Sequence, residues 1–202
     1  MDAVPDVHTD ARGRRLVLVA VAAGALLSVL LGVYGKVHTP TGGTILLFGF
    51  GGMIQMKVWL AVATGVLALA QLVTALWMYG RLGLAAPPRL GLVHRSLGAL
   101  ALLVSLPVAY HCLWSIGFES YTGRVLLHSL AGCLVYGAFV VKVVGLHAAA
   151  SPRWLVPVAG GVLFTLLIVT VTTSAVWYLG SQGLPSGGGL SLIHISEPTR
   201  RS

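Results

Sequence analysis

The sequence has few charged residues and few cysteines for a chain of 202 residues. Asp, Glu, Lys and Arg together make up 9% of it, whereas a soluble domain has about 25%. Hydrophobic residues make up 56%. This composition excludes an ordinary soluble domain and indicates an integral membrane protein. The two cysteines, Cys112 and Cys133, are too few for a disulfide framework and form no metal-binding motif.

Acidic residues are the scarcest charged group, and none lies within a long apolar run. The five acids are Asp2, Asp6, Asp10, Glu119 and Glu197. Proton-coupled transporters usually depend on carboxylates inside the membrane, so this absence argues against a transporter. The net charge is +8, but the basic residues cluster at the ends of apolar runs. They do not form the soluble basic surface that nucleic-acid binding requires. Walker, His-Glu-x-x-His and nucleophile-elbow motifs are also missing.

Five apolar runs are each long enough to cross a bilayer. Crossing about 30 Å of hydrocarbon takes about 20 helical residues, and a continuous helix satisfies the backbone polar groups there. We therefore predict an all-α fold, an integral membrane bundle of five transmembrane helices. The predicted spans are residues 16–34, 58–79, 93–116, 125–144 and 155–179.

The basic residues predict the orientation of these spans. Three arginines precede the first span, and most other Lys and Arg residues fall on the same side of the membrane. Only Lys36, Lys57 and Arg124 fall on the other side. The positive-inside rule makes residues 1–15 a cytoplasmic tail and places the end of the fifth span outside. We expect a multi-pass protein embedded in the lipid bilayer of a bacterial plasma membrane.

Three segments lie outside the predicted spans. Residues 36–56 are apolar but interrupted by glycines, so we expect an interfacial or re-entrant element on the outer side. Residues 180–189 have the Gly- and Ser-rich composition of a flexible linker. Residues 190–200 read LSLIHISEPTR, which resembles the conceptual translation of a sequencing adapter. We therefore treat residues 190–202 as a sequencing artefact and expect the natural reading frame to continue differently beyond Gly189.

Two histidines lie at matching depths in adjacent spans. His111 and His128 fall about 8 Å and about 6 Å below the outer ends of spans three and four, at 1.5 Å per residue. An imidazole in hydrocarbon needs a partner, and a facing pair is the ligand set of a bis-histidine haem iron. We predict that this pair ligates the iron of one haem b. The alternative is that each ring bonds a backbone carbonyl, or the other ring, and only packs.

Each of these spans also begins with the pattern His-x-x-x-Gly. It occurs as His94 to Gly98 and as His128 to Gly132, and residues four apart share one helix face. A glycine one turn from a ligating histidine leaves room for a porphyrin ring, so these residues are candidate cofactor-binding positions. The alternative is close helix packing through the glycines. A second haem would use His94 and His147, but the ligand spacings of 17 and 19 residues rotate each pair off one face.

Short stretches of spans three and four resemble known haem-binding helices. VHRSLG, AYHCLW and LHSLAG resemble b-type transmembrane cytochromes and ferric-reductase-like proteins, which implies electron transport with haem. Nothing resembles the flavin and nicotinamide domains of larger reductases, so an electron carrier would need a redox partner or a membrane complex.

A second resemblance extends along the whole chain. GVYGKVHTPTG, LVTALWMYGRL, SLPVAYHCLW and LHSLAGCLVYGAF resemble an uncharacterised family of high-GC bacterial multi-pass membrane proteins, which implies no activity. The leading hypothesis is thus a small haem b electron carrier. The alternative is a cofactor-free membrane subunit or scaffold, with a transporter as the third candidate.

Overall fold

The computed structural model describes residues 7–149 and 151–185, and these form a bundle of helices. The helices are α1 (Val7–Val37), α2 (Met53–Met78), α3 (Leu90–Tyr110), α4 (Gly123–His147), α5 (Leu155–Val171) and α6 (Trp177–Gln182). Two π-helical segments continue them: π1 (His111–Ile116) follows α3, and π2 (Thr172–Val176) joins α5 to α6. The described part of the chain contains no strand.

Five continuous helical stretches are long and apolar enough to cross a membrane, which confirms the predicted fold class. They are Ala11–Val37, Met53–Met78, Leu90–Ile116, Gly123–His147 and Leu155–Gln182. Most extend beyond the predicted spans, because hydropathy finds the apolar part of a helix and omits its polar ends. Helix α6 also continues into the predicted linker. The predicted artefact, residues 190–202, lies outside the described residues.

Small side chains dominate the contacts between helices, while many large apolar side chains cover the outside. The buried hydrophobic residues include Ala20, Ala61, Ala68, Ala101, Ala131, Ala159 and Ala175. Lipid tails are as apolar as leucine, so helices in a membrane associate through close van der Waals packing of small residues. The closest approach joins α1 to α4, where a Cβ added to Gly24 would lie 2.5 Å from the carbonyl oxygen of Gly137.

The loop between α1 and α2 packs on π1 at one end of the bundle. The Thr41 and Gly42 amides donate to the carbonyls of Trp114 (3.2 Å) and Ser115 (3.1 Å). The Ser115 hydroxyl in turn donates to the carbonyl of Gly43 (2.7 Å). We refer to this end, where α1 ends and α2 and α4 begin, as the outer end, following the predicted orientation. Part of the predicted interfacial element thus covers π1.

The first turn of α4 is capped by a side chain. The Thr122 hydroxyl accepts a hydrogen bond from the Val125 amide at 3.2 Å. We expect Thr122→Ala to lower the stability of the bundle by about 1 kcal/mol, because a first-turn amide loses its partner. Denaturant titration in micelles would measure this loss. Thr122→Ser keeps the hydroxyl and should match the parent chain; equal losses for both variants would contradict the capping role.

Candidate functional site

A cavity of about 300 Å³ lies in the outer half of the bundle, within the size range of small-molecule sites. Residues of α2, α3, π1, α4, α5 and π2 line it, together with Leu31 of α1, Trp177 and Tyr178 of α6, and the loop between π1 and α4. Most of the wall is apolar. The charged, thiol and imidazole groups of the wall are Lys57, Cys112, Glu119, Arg124, His128 and Cys133. The structure therefore gathers polar groups from several helices around one apolar cavity.

Both π-helical segments border this cavity. In π1 the Gly117 amide donates to the carbonyl of Cys112, five residues back, at 2.9 Å. Pro107 lies inside α3, four residues before this segment, and lacks an amide, so it interrupts the hydrogen-bond ladder of α3 before π1 begins. In π2 the hydroxyls of Thr172, Thr173 and Ser174 donate to carbonyls one turn back, which bends a helix. Such π segments are frequent at functional sites.

His128 faces the cavity with one nitrogen already occupied. Its Nδ1 lies 3.2 Å from the carbonyl oxygen of Thr170 and 3.2 Å from the Thr173 hydroxyl. A carbonyl oxygen can only accept, so the bond to Thr170 assigns the proton to Nδ1. The other nitrogen, Nε2, then has a free lone pair.

His111 has the same local bond but a different environment. Its side chain is completely buried, and its Nδ1 lies 2.8 Å from the carbonyl oxygen of Pro107. Its Nε2 is buried and has no hydrogen-bond partner among the described residues. His111 does not line the cavity, although the next residue, Cys112, does. The structure therefore does not bring the two predicted ligands to one cavity.

The two predicted glycines also differ. Gly132 lines the cavity, and nothing lies within 4 Å of a Cβ added there. A Cβ added to Gly98 would instead lie 3.4 Å from the side-chain amide of Gln71. Space beside Gly132 is thus open, whereas Gln71 of the neighbouring helix occupies the space beside Gly98.

His94 lies in the contact between α2 and α3 rather than at the cavity. Its Nδ1 is 2.8 Å from the Thr74 hydroxyl. Its backbone carbonyl accepts a hydrogen bond from the side-chain amide of Gln71. This is the arrangement of a polar residue that joins two helices. His147 is exposed, with Nδ1 2.9 Å from the carbonyl oxygen of Val143. The structure places neither residue beside the outer histidines.

Sequence reasoning missed the two basic residues of the cavity. It interpreted Lys57 and Arg124 only as orientation signals. The Arg124 guanidinium lies over the Trp177 ring, 3.6 Å from its centroid, and donates to the carbonyl of Thr173 at 2.6 Å. Both residues lie within helices on the predicted outer side of the membrane, where few positive charges are expected. That position could have marked them as candidate site residues.

A multi-residue metal site is not present in the described ranges, since no group of three or more His, Cys, Asp or Glu is close enough to hold an ion. A bis-histidine haem needs only two protein ligands, so this finding leaves the haem prediction open. The cofactor therefore stays a prediction.

Comparison with known proteins identifies the family. Residues 17–186 match a family of unknown function, DUF6529. The match covers most of the chain, so the chain belongs to this family. No curated protein and no solved structure matches it. The family assignment agrees with the full-length resemblance to proteins without an assigned activity.

Proposed function

We propose that this member of DUF6529 is a small electron carrier of the bacterial plasma membrane that binds one haem b near its outer end. The supporting observation is the bonding shared by His111 and His128, whose Nδ1 atoms both lie beside backbone carbonyl oxygens. Metal-ligating histidines almost always make such a bond through the nitrogen that does not bind metal. It leaves each Nε2 with the lone pair that an iron atom requires.

The burial of His111 supports the same proposal. Leaving a buried polar nitrogen unpaired costs about 1–3 kcal/mol, and no residue in the described part of the chain pairs with this Nε2. A bond to iron would satisfy it. Because His128 borders the cavity and His111 does not, ligation by both requires π1 to turn the His111 ring toward the cavity.

The other residues of the site would hold and shield the group. Gly132 leaves open space on the helix face of His128, and the apolar wall of the cavity would keep water away from it. A bound haem would supply one-electron chemistry. Electrons would come from a redox partner or a membrane complex, because the described residues form only the helical bundle.

A difference spectrum tests this proposal. The chain would be expressed with adequate haem supply, purified in detergent, and measured as dithionite-reduced minus air-oxidised protein. We expect the α-band of a b-type haem at about one haem per chain. A flat spectrum with a folded protein would contradict the proposal.

The second candidate is a cofactor-free membrane subunit. The separation of His111 from the cavity and the helix-joining bonds of His94 favour it, since both histidines then serve only packing. A flat difference spectrum would support this candidate, and a partner would be sought by affinity purification from the native membrane.

A further inference from the structure

The outer cavity contains an excess of positive charge in an otherwise apolar wall. Lys57 from α2 and Arg124 from α4 line it, and Glu119 is the one acidic residue of its described lining. Two cations against one carboxylate leave one positive charge unbalanced. A charge in an apolar environment is costly unless it is paired, so the wall is suited to an additional anion.

Two helix N-termini reinforce this charge. Helices α2 and α4 both begin at the outer end, and neither has an acidic residue in its first turn. The N-terminal end of a helix has the positive end of its macrodipole, which favours a nearby anion. Lys57 lies four residues into α2, about 6 Å below the helix end. This depth suits an acid group held just beneath the membrane surface.

The two basic groups offer different contacts. Arg124 is held in place by the Trp177 ring and the Thr173 carbonyl, and a guanidinium has five N–H donors, so donors remain. Lys57 lines the cavity from α2, and Cys112 lines it from π1. An anion between α2 and α4 would therefore meet two cations, one from each helix.

The rest of the cavity wall is apolar and favours a ligand with a large apolar part. Val58, Ala61, Leu167, Val171 and Ala175 line the cavity beside the basic residues. Apolar walls with a few placed polar groups are the usual composition of small-molecule sites. A small inorganic anion would leave this apolar part of the cavity unfilled, whereas an amphipathic anion would fill both parts.

We propose that the cavity binds an apolar molecule bearing a carboxylate, with the acid group beside Lys57 and Arg124 and the apolar body against the wall formed by α2, α5 and π2. Two sources share this chemistry: a long-chain fatty acid from the bilayer, and a haem through its propionates. Carboxylate binding does not need iron ligation by His111. It can therefore be confirmed or contradicted independently of the proposed electron carrier.

The first arm of the test uses a photoreactive diazirine analogue of hexadecanoic acid and its methyl ester. Both would be added to the full chain in lipid nanodiscs, and cross-linked peptides would be mapped by mass spectrometry. We expect about tenfold more labelling of the cavity residues by the acid, the effect of a charge-assisted bond. Lys57→Met should lower acid labelling to the level of the ester, and Lys57→Arg should retain the preference.

The matched control is Lys36→Met. Lys36 is an exposed lysine in the last turn of α1, also at the outer end, but it does not line the cavity. Its replacement should leave labelling unchanged. Size-exclusion profiles and melting temperatures of all variants would show that they are folded.

The second arm compares hemin with its dimethyl ester, using haem-free protein. Preference for hemin that disappears in Lys57→Met would support the proposal with haem as the source. Preference for the fatty acid alone would support it with lipid as the source. Equal binding of acid and ester in both arms, or preferences that Lys57→Met leaves intact, would overturn it. A colourless purified protein would contradict the electron carrier without deciding the fatty-acid arm.

Discussion

Replacing Gly137 with leucine is expected to destabilise the bundle more than any other single change considered for this chain. A Cβ at this position would overlap the Ser28 hydroxyl and the carbonyl of Gly24. The Ser28 hydroxyl is itself bonded to that carbonyl at 3.0 Å, so it cannot move away without losing its partner. Overpacking a tight contact costs about 1–3 kcal/mol, and occasionally more. Here the added Cβ would overlap backbone atoms of Gly24, which move less readily than a side chain does.

Gly132→Leu is the matched control for this prediction. Gly132 lies on the same helix, but nothing lies within 4 Å of an added Cβ. We expect a change within about 1 kcal/mol, since the leucine would extend into the cavity. Unfolding of both variants in mixed SDS micelles would be followed by circular dichroism. Equal stability of the two variants would contradict the close contact between α1 and α4.

Replacing His128 with alanine is expected to abolish haem retention, and His111→Ala is expected to do the same. Each change removes one of the two nitrogen ligands that a bis-histidine iron requires. Haem content per purified chain, measured by the pyridine haemochrome assay, would report the loss.

His147→Ala is the matched control for the histidine variants. Its Nδ1 bonds to the carbonyl one turn back, as that of His111 does, but its side chain is exposed and near the opposite end of the bundle. Haem content should stay at the parent level. Full haem content in either His128→Ala or His111→Ala would refute bis-histidine ligation. Melting temperatures would separate loss of haem from loss of folding.

The fold class was predictable from the sequence because transfer into lipid depends on composition summed over about 20 residues. The five helices follow from that sum. Their ends were less predictable: α2 begins at Met53, five residues before its predicted start. Gln55 and Lys57 lower the local hydropathy, yet their backbone groups still need the intrahelical bonds that the membrane does not replace.

The cavity was not predictable, because it is formed by side chains from helices that are distant in sequence. Lys57, Cys112 and His128 belong to three different helical segments. Nothing in the spacing of these residues indicates that they meet. The two glycines likewise show that a sequence pattern does not reveal the surroundings of a residue, since one pattern predicted equal roles for Gly98 and Gly132. Gln71 fills the space beside the first, and the cavity lies beside the second.

The sequence by itself determined which segments are transmembrane helices and how deep each histidine lies along its helix axis. Depth follows from counting residues, because every residue adds the same rise to a helix. Only the tertiary structure decided which way each side chain faces around that axis. Cys112 faces the cavity while the adjacent His111 is sealed in the bundle. Rotation of a helix in lipid is set by packing against its neighbours, and a sequence read one helix at a time does not contain those contacts.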